Sequence, residues 1–167
     1  MAVHLSLASL LLAVTVSIFK IARLGGVAVV EKTVAVPFLL SLIVLVTIIS
    51  GAVVAKSGSA LACGGWPLCN GVLGPDFEDR GQVLHFALRL LALMSVVGIV
   101  AAAFYMRALR HPAMLSVIQV FMGLLVIWVY NAGTFGSHVL VGALHQLFAL
   151  VIFASLIWAF WRPDAPR

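Results

Sequence analysis

Charge is what this sequence has least of. Its 167 residues include 10 lysines and arginines and 5 aspartates and glutamates, so 9% of the chain is charged while 64% is hydrophobic. Soluble domains average about 25% charged and roughly 45–50% apolar. A chain with so little charge cannot cover a globular surface in water, and one so apolar does not stay disordered. The carboxylates are Glu31, Asp76, Glu78, Asp79 and Asp164, and none lies inside a long apolar stretch. That argues against an intramembrane non-haem metal centre, which wants a third or fourth ligand of this kind. Cysteine is nearly as scarce: Cys63 and Cys69 form a lone CxxxxxC pair, which is not a tetrahedral zinc site. No linker, low-complexity tract or tail separates a second domain. The net charge of +5 has no soluble surface to gather on, so it reads as a topology signal and not as a nucleic-acid footprint.

What the chain does have is apolar length. Five stretches, at about 3–19, 34–55, 83–106, 113–130 and 138–161, approach or exceed the roughly 20 residues that cross a hydrocarbon core about 30 Å thick. None alternates as a barrel strand would. The sequence therefore predicts an all-α integral membrane protein, one transmembrane domain over residues 1–167, with a single long connection at 56–82.

Basic residues favour the cytoplasmic side. Lys20, Arg23, Lys32, Arg107, Arg110, Arg162 and Arg167 fall in the first and third connections and after the last span, against Lys56 and Arg80 in the second and fourth. Seven against two predicts an external N-terminus and a cytoplasmic C-terminus in a cell membrane. The first span has its positive charges after it and none before, which predicts a retained helix and not a cleaved signal peptide. The 56–82 connection is then external, where a Cys63–Cys69 disulfide is permitted. Such a pair serves either as a staple that pins residues 64–68 or as a redox-active couple.

Histidines inside apolar spans are costly and are functional candidates by default. His85 lies near the external start of the third span and His145 about two turns into the fifth, so both occupy the outer half of the membrane. Two neutral imidazoles facing one another across a bundle are what six-coordinate haem iron requires. Arg89, one turn after His85, is placed either to pair with a haem propionate or to snorkel to the headgroups. His138, seven residues before His145, reads as a rim residue or propionate contact. Gly142, one turn before His145, removes a side chain where a flat macrocycle approaches. His4 and His111 read as interfacial.

A faint internal repeat points the same way. Ser50-Gly51-Ala52-Val53-Val54 precedes the His85 helix as Met122-Gly123-Leu124-Leu125-Val126 precedes the His145 helix. Two such hairpins form a four-helix bundle with a central cofactor site, and the first span is an additional N-terminal helix.

These residues resemble the haem A synthase family. The run from Gly51 to Cys63 (GAVVAKSGSALAC), followed by Trp66-Pro67-Leu68-Cys69-Asn70-Gly71, is similar to that family's outer loop, G-x-L-V-x-x-T-G-S-G-x-x-C…W-P-x-C-x-G. Leu144-His145-Gln146-Leu147-Phe148-Ala149 resembles its L-H-Q-x-x-A haem-ligand helix, and Gln119 to Gly123 its Q-x-x-x-G span. The likeness covers about residues 34–161, one four-helix half of the usual eight-helix protein. It implies an oxidoreductase that converts the C8 methyl of haem O to the formyl of haem A for terminal oxidase assembly. His85 and His145 would be the iron ligands, Cys63 and Cys69 the outer-loop pair, haem B or haem O the bound group, and haem O synthase a partner.

Two departures matter. The family's E-x-x-H-R reads here as Gln82-Val83-Leu84-His85-Phe86. An amide replaces a carboxylate that could move a proton, and Glu78 is the weak substitute nearby. A half-length bundle has one histidine pair, so a homo-oligomer, packed through small-residue faces in the bilayer, is expected to supply a second haem site. The alternative is a non-catalytic b-type haem carrier or haem chaperone.

Overall fold

The computed structural model describes residues 2–24, 35–67, 69–133 and 137–161. Five α-helices account for most of them: α1 (Ala2–Leu24), α2 (Ala35–Lys56), α3 (Arg80–Tyr105), α4 (Arg110–Asn131) and α5 (Ser137–Phe160). All five are long and apolar enough to cross a membrane. Among the described residues there is no strand, only an isolated bridge in the long loop. Helices are the form such segments must take in lipid, where every backbone N–H and C=O needs a partner within the segment. Hydroxyls follow the same rule, as Ser9, Thr15, Thr47 and Ser95 each donate to the carbonyl four residues earlier.

The helix ends differ from the predicted spans by a few residues, each for a local reason. α1 continues to Leu24 because Lys20 and Arg23 can stay helical while their long stems reach water. α3 begins at Arg80, since Asp79 caps it by accepting from Gly81 N–H (2.8 Å) and Gln82 N–H (3.2 Å). α4 begins at Arg110, with Pro112 in its first turn, where a missing N–H is harmless.

α2 packs on α3, α3 on α4, α4 on α5 and α5 on α2, which closes a four-helix ring. α3 and α5 are diagonal partners in it. α1 lies outside the ring against α5 and α2, fastened at one end by Trp161 Nε1 donating to Ser17 Oγ (2.8 Å) and by Lys20 4.0 Å above the Trp158 ring.

The tightly filled core sits at one end. Leu40, Val44 and Ile48 of α2, Ile99 of α3, Ala113 and Leu115 of α4, and Ile152, Phe153, Leu156 and Ala159 of α5 form one buried cluster. All but Ile48, just past the middle of α2, lie in the half of the bundle away from the 56–82 loop. The loop-side half carries the histidines instead, and a cavity of about 260 Å³ opens there between Ser50, Val53 and Val54 of α2 and Leu84, Ala87 and Leu88 of α3.

Candidate haem site and its outer loop

The loop is built to a fixed shape. Cys63 and Cys69 are joined by a disulfide. Cys69 and Val72 exchange both backbone hydrogen bonds (2.9 and 3.1 Å) around Asn70-Gly71, whose φ angles of 53° and 88° make a tight turn. The Asn70 side chain then braces the loop, accepting from Gly64 N–H and donating to Ala62 C=O, both at 2.8 Å. Asn131 at the end of α4 donates to Gly64 C=O (3.2 Å). Gly81 lets the loop press on α3: a Cβ there would lie 3.1 Å from Asp79 Oδ1 and 3.3 Å from both Ala62 Cβ and Ser59 Oγ.

This loop holds the first histidine. His85 is buried at 7% exposure, and its Nδ1 accepts from Cys63 N–H at 3.3 Å. A neutral imidazole that accepts at Nδ1 carries its proton on Nε2. Arg89, one turn further along α3, donates to Cys63 C=O (2.5 Å) and Gly65 C=O (2.6 Å). The Cys63 peptide is therefore gripped from both sides, by Arg89 at its carbonyl and by His85 at its N–H. In this structure Arg89 is committed to the loop.

Gln82 is committed too. Its Oε1 accepts from Asp76 N–H (3.0 Å) and its Nε2 donates to Asp79 Oδ2 (3.2 Å). The Cys69 sulfur packs against Oε1 at 3.4 Å, a contact without a proton because the sulfur is in a disulfide. A carboxylate at position 82 would face that of Asp79, so the local cap favours an amide. Glu78 is exposed, and its N–H donates to Asp76 Oδ1 (3.0 Å). Asp79 itself is held below the usual carboxylate range by the Gln82 and Gly81 backbone N–H groups it accepts.

The second histidine has different company. Gln119 of α4 donates to His145 C=O at 3.0 Å, and the same Nε2 lies 3.3 Å from both ring nitrogens. The lone-pair directions of those nitrogens diverge in the ring plane, so an atom equidistant from both sits over the ring face. Gly123, one turn after Gln119, makes room for the ring: a Cβ there would be 3.3 Å from His145 Cε1. Gln146 turns the other way, its Oε1 3.9 Å from where a Gly51 Cβ would stand. A Cβ at Gly142 would meet nothing within 4 Å, so packing does not demand that glycine. His138 lies in the first turn of α5, but its side chain is outside the described residues.

His85 is five residues into α3 and His145 eight into α5, so both lie about 8–12 Å along their helices from the loop side at 1.5 Å per residue. The diagonal helices thus place them at similar depth. Among the described residues no hydrogen bond joins the two histidine clusters. The donor set fits a haem between the diagonal helices provided that His85 gives up the Cys63 N–H. An imidazole with Nε2 on iron carries its proton on Nδ1 and cannot also accept there. The loop-side half lacks the large buried side chains of the opposite half, and two polar atoms there, Gln119 Oε1 and Gln146 Nε2, are buried with no partner. The same residues contain no group of three His, Cys, Asp or Glu that could hold a bare metal ion. Motif spacing alone assigns no role to Gln119, Asn70 or Asn131, all of which the structure places in this site. The available signals were an amide within an apolar span and an Asn-Gly dipeptide beside a cysteine.

The arrangement is that of a multi-span membrane bundle with one histidine on each of two diagonal helices beneath a disulfide-closed loop. Residues 1–160 match the COX15-CtaA family model, described as cytochrome oxidase assembly protein, and the chain belongs to that family. It is 37% identical over 124 residues to a heme A synthase of Shouchella clausii, covering 70% of this chain and 41% of that relative. Against heme A synthases of Bacillus licheniformis and Geobacillus kaustophilus the identities are 34% over 121 and 32% over 123 residues, each covering 39% of the relative. The chain thus spans about two fifths of the length of the curated relatives it matches. No solved structure matches it.

Proposed function

We propose that this chain is a compact haem A synthase, an oxidoreductase of the cell membrane that takes haem O and oxidises its C8 methyl to the formyl of haem A for terminal oxidase assembly. The observation that supports the reading most is the placement of His85 and His145 at like depth on diagonal helices, in the half of the bundle that holds few of the large buried side chains. Bound haem would supply a redox-active iron. His85 and His145 would hold it, and the apolar faces of α2 and α3 at the loop-side cavity would exclude water from the reacting methyl. With the external N-terminus that the basic residues predict, the loop and both histidines face the outside of the cell, where the disulfide persists. His138 would contact a propionate at the rim. Haem O synthase would deliver the substrate, and a homo-oligomer in the bilayer would bring a second haem within reach.

A haem carrier or chaperone is the second reading, favoured by one observation. Position 82, where a carboxylate would move protons, holds an amide already bonded to Asp76 and Asp79. Co-expression with a haem O synthase, followed by extraction of haems, separates the two. Haem A or its alcohol precursor supports the enzyme. Unchanged haem O, with only haem B retained by the protein, overturns it in favour of the carrier.

A further inference from the structure

The Q-x-x-x-G stretch of α4 gives His145 a dedicated holder. Gln119 Nε2 makes its one well-directed hydrogen bond to the His145 carbonyl and rests over the imidazole face. Gly123, on the same face of α4, removes the side chain that would push the ring away. Both ring nitrogens are thereby left without an in-plane partner, while Gln119 Oε1, on the same amide, is buried with no partner. An imidazole that gives one nitrogen to a metal keeps a proton on the other, and that N–H needs an acceptor in an apolar interior. No carboxylate lies in any described helix to provide one. The other buried amide atom without a partner, Gln146 Nε2, is a donor and cannot.

We infer that Gln119 is the positioning residue of His145: its Nε2 holds the helix carbonyl, and once one ring nitrogen is on haem iron the ring turns off its contact with Nε2 so that the remaining N–H meets Oε1. The inference rests on His145 being an axial ligand and assigns the group behind it. It makes the two histidines unlike. His85 has a peptide N–H donor at Nδ1, which it must release to bind iron, whereas His145 would gain an amide carbonyl as acceptor. A hydrogen bond accepted from the ring N–H makes the imidazole a stronger donor to iron and favours the ferric state, so Gln119 would tune the iron's potential as well as orient its ligand.

The test uses the full chain purified in detergent and loaded with haem B, with optical spectra and redox titration as readouts. Gln119→Leu is expected to shift the midpoint potential of the iron to more positive values and to weaken haem retention roughly 10–100-fold. Gln119→Glu, which keeps the size and strengthens the acceptor, is expected to shift the potential to more negative values. His145→Ala is expected to lose the low-spin spectrum. If His145→Ala loses that spectrum while both Gln119 variants keep the wild-type potential, the role of Gln119 is overturned and the ligand stands. If His145→Ala keeps it, the ligand assignment fails and this inference falls with it. Should Gln119→Leu not fold, the shift in Gln119→Glu decides alone, and an unchanged potential overturns the inference.

Discussion

Single atoms decide the chemistry at the loop end of this bundle. The Cys63 peptide offers its carbonyl to Arg89 and its N–H to His85, so the arginine that sequence spacing offered to a propionate or to the headgroups acts here on a loop. Gln82 shows a similar capture. Its amide nitrogen serves Asp79 and its oxygen serves the Asp76 backbone, and only an amide can do both. Restoring the carboxylate by Gln82→Glu is therefore expected to lower thermal stability by about 1 kcal/mol near neutral pH, through one lost hydrogen bond and a like-charge contact. The loss should shrink as the new side chain is protonated. Thermal unfolding in detergent at two pH values checks this. An equal deficit at both pH values would mean that charge is not the cause.

The elements are ordinary membrane helices, and their ends carry the information. α3 is the instructive one, because its start lies in water while His85 and Arg89 lie within its next two turns. Asp79 sets that start by accepting from Gly81 and Gln82 N–H groups, and those bonds hold its carboxyl below the usual range. A carboxyl with a depressed folded pKa contributes stability that is complete above the unfolded value, about 4. That contribution disappears as pH falls through the folded value. Wild-type protein should therefore lose thermal stability below about pH 4, and Asp79→Ala should be less stable at neutral pH with a flatter acid limb. Melting temperatures measured from about pH 3 to 7, a range that brackets the carboxylate values, give the comparison. Parallel curves would remove Asp79 from the capping role.

At the scale of the whole molecule, the bundle is packed unevenly. Most of its large buried side chains gather away from the loop, and the loop-side half holds the two intramembrane histidines, glycines and two amide atoms without a partner, Gln119 Oε1 and Gln146 Nε2. The basic residues predict an orientation in the membrane, and the two ends of α3 can test it. Phe77, 83% exposed in the loop, and Tyr105, 92% exposed at the far end, each tolerate a reporter. In intact cells a membrane-impermeant thiol reagent should label Phe77→Cys, and should label Tyr105→Cys only after permeabilisation. The reverse pattern would invert the topology and place the disulfide loop in the cytoplasm.

Much of this was legible in the residues alone. Helix number, the apolar spans, the basic asymmetry and the two intramembrane histidines are one-dimensional properties: a bilayer imposes a length and a hydropathy on every span, and these can be counted along a chain. The Cys63–Cys69 disulfide was legible as a permitted bond once the basic residues placed the loop outside, and the structure forms it. What no count along the chain could supply is which neighbour each polar side chain meets. That Arg89 grips Cys63 and Gly65, that Gln82 faces Asp79, and that Gln119 lies against His145, 26 residues away, are facts of packing between segments. Hydropathy cannot encode them, because an amide's partner in a membrane is chosen by helix rotation and depth. Composition and order along the chain were enough to specify a five-helix membrane protein with a histidine pair. Packing in three dimensions was needed to make the two histidines different, one held by a loop peptide and one by a glutamine.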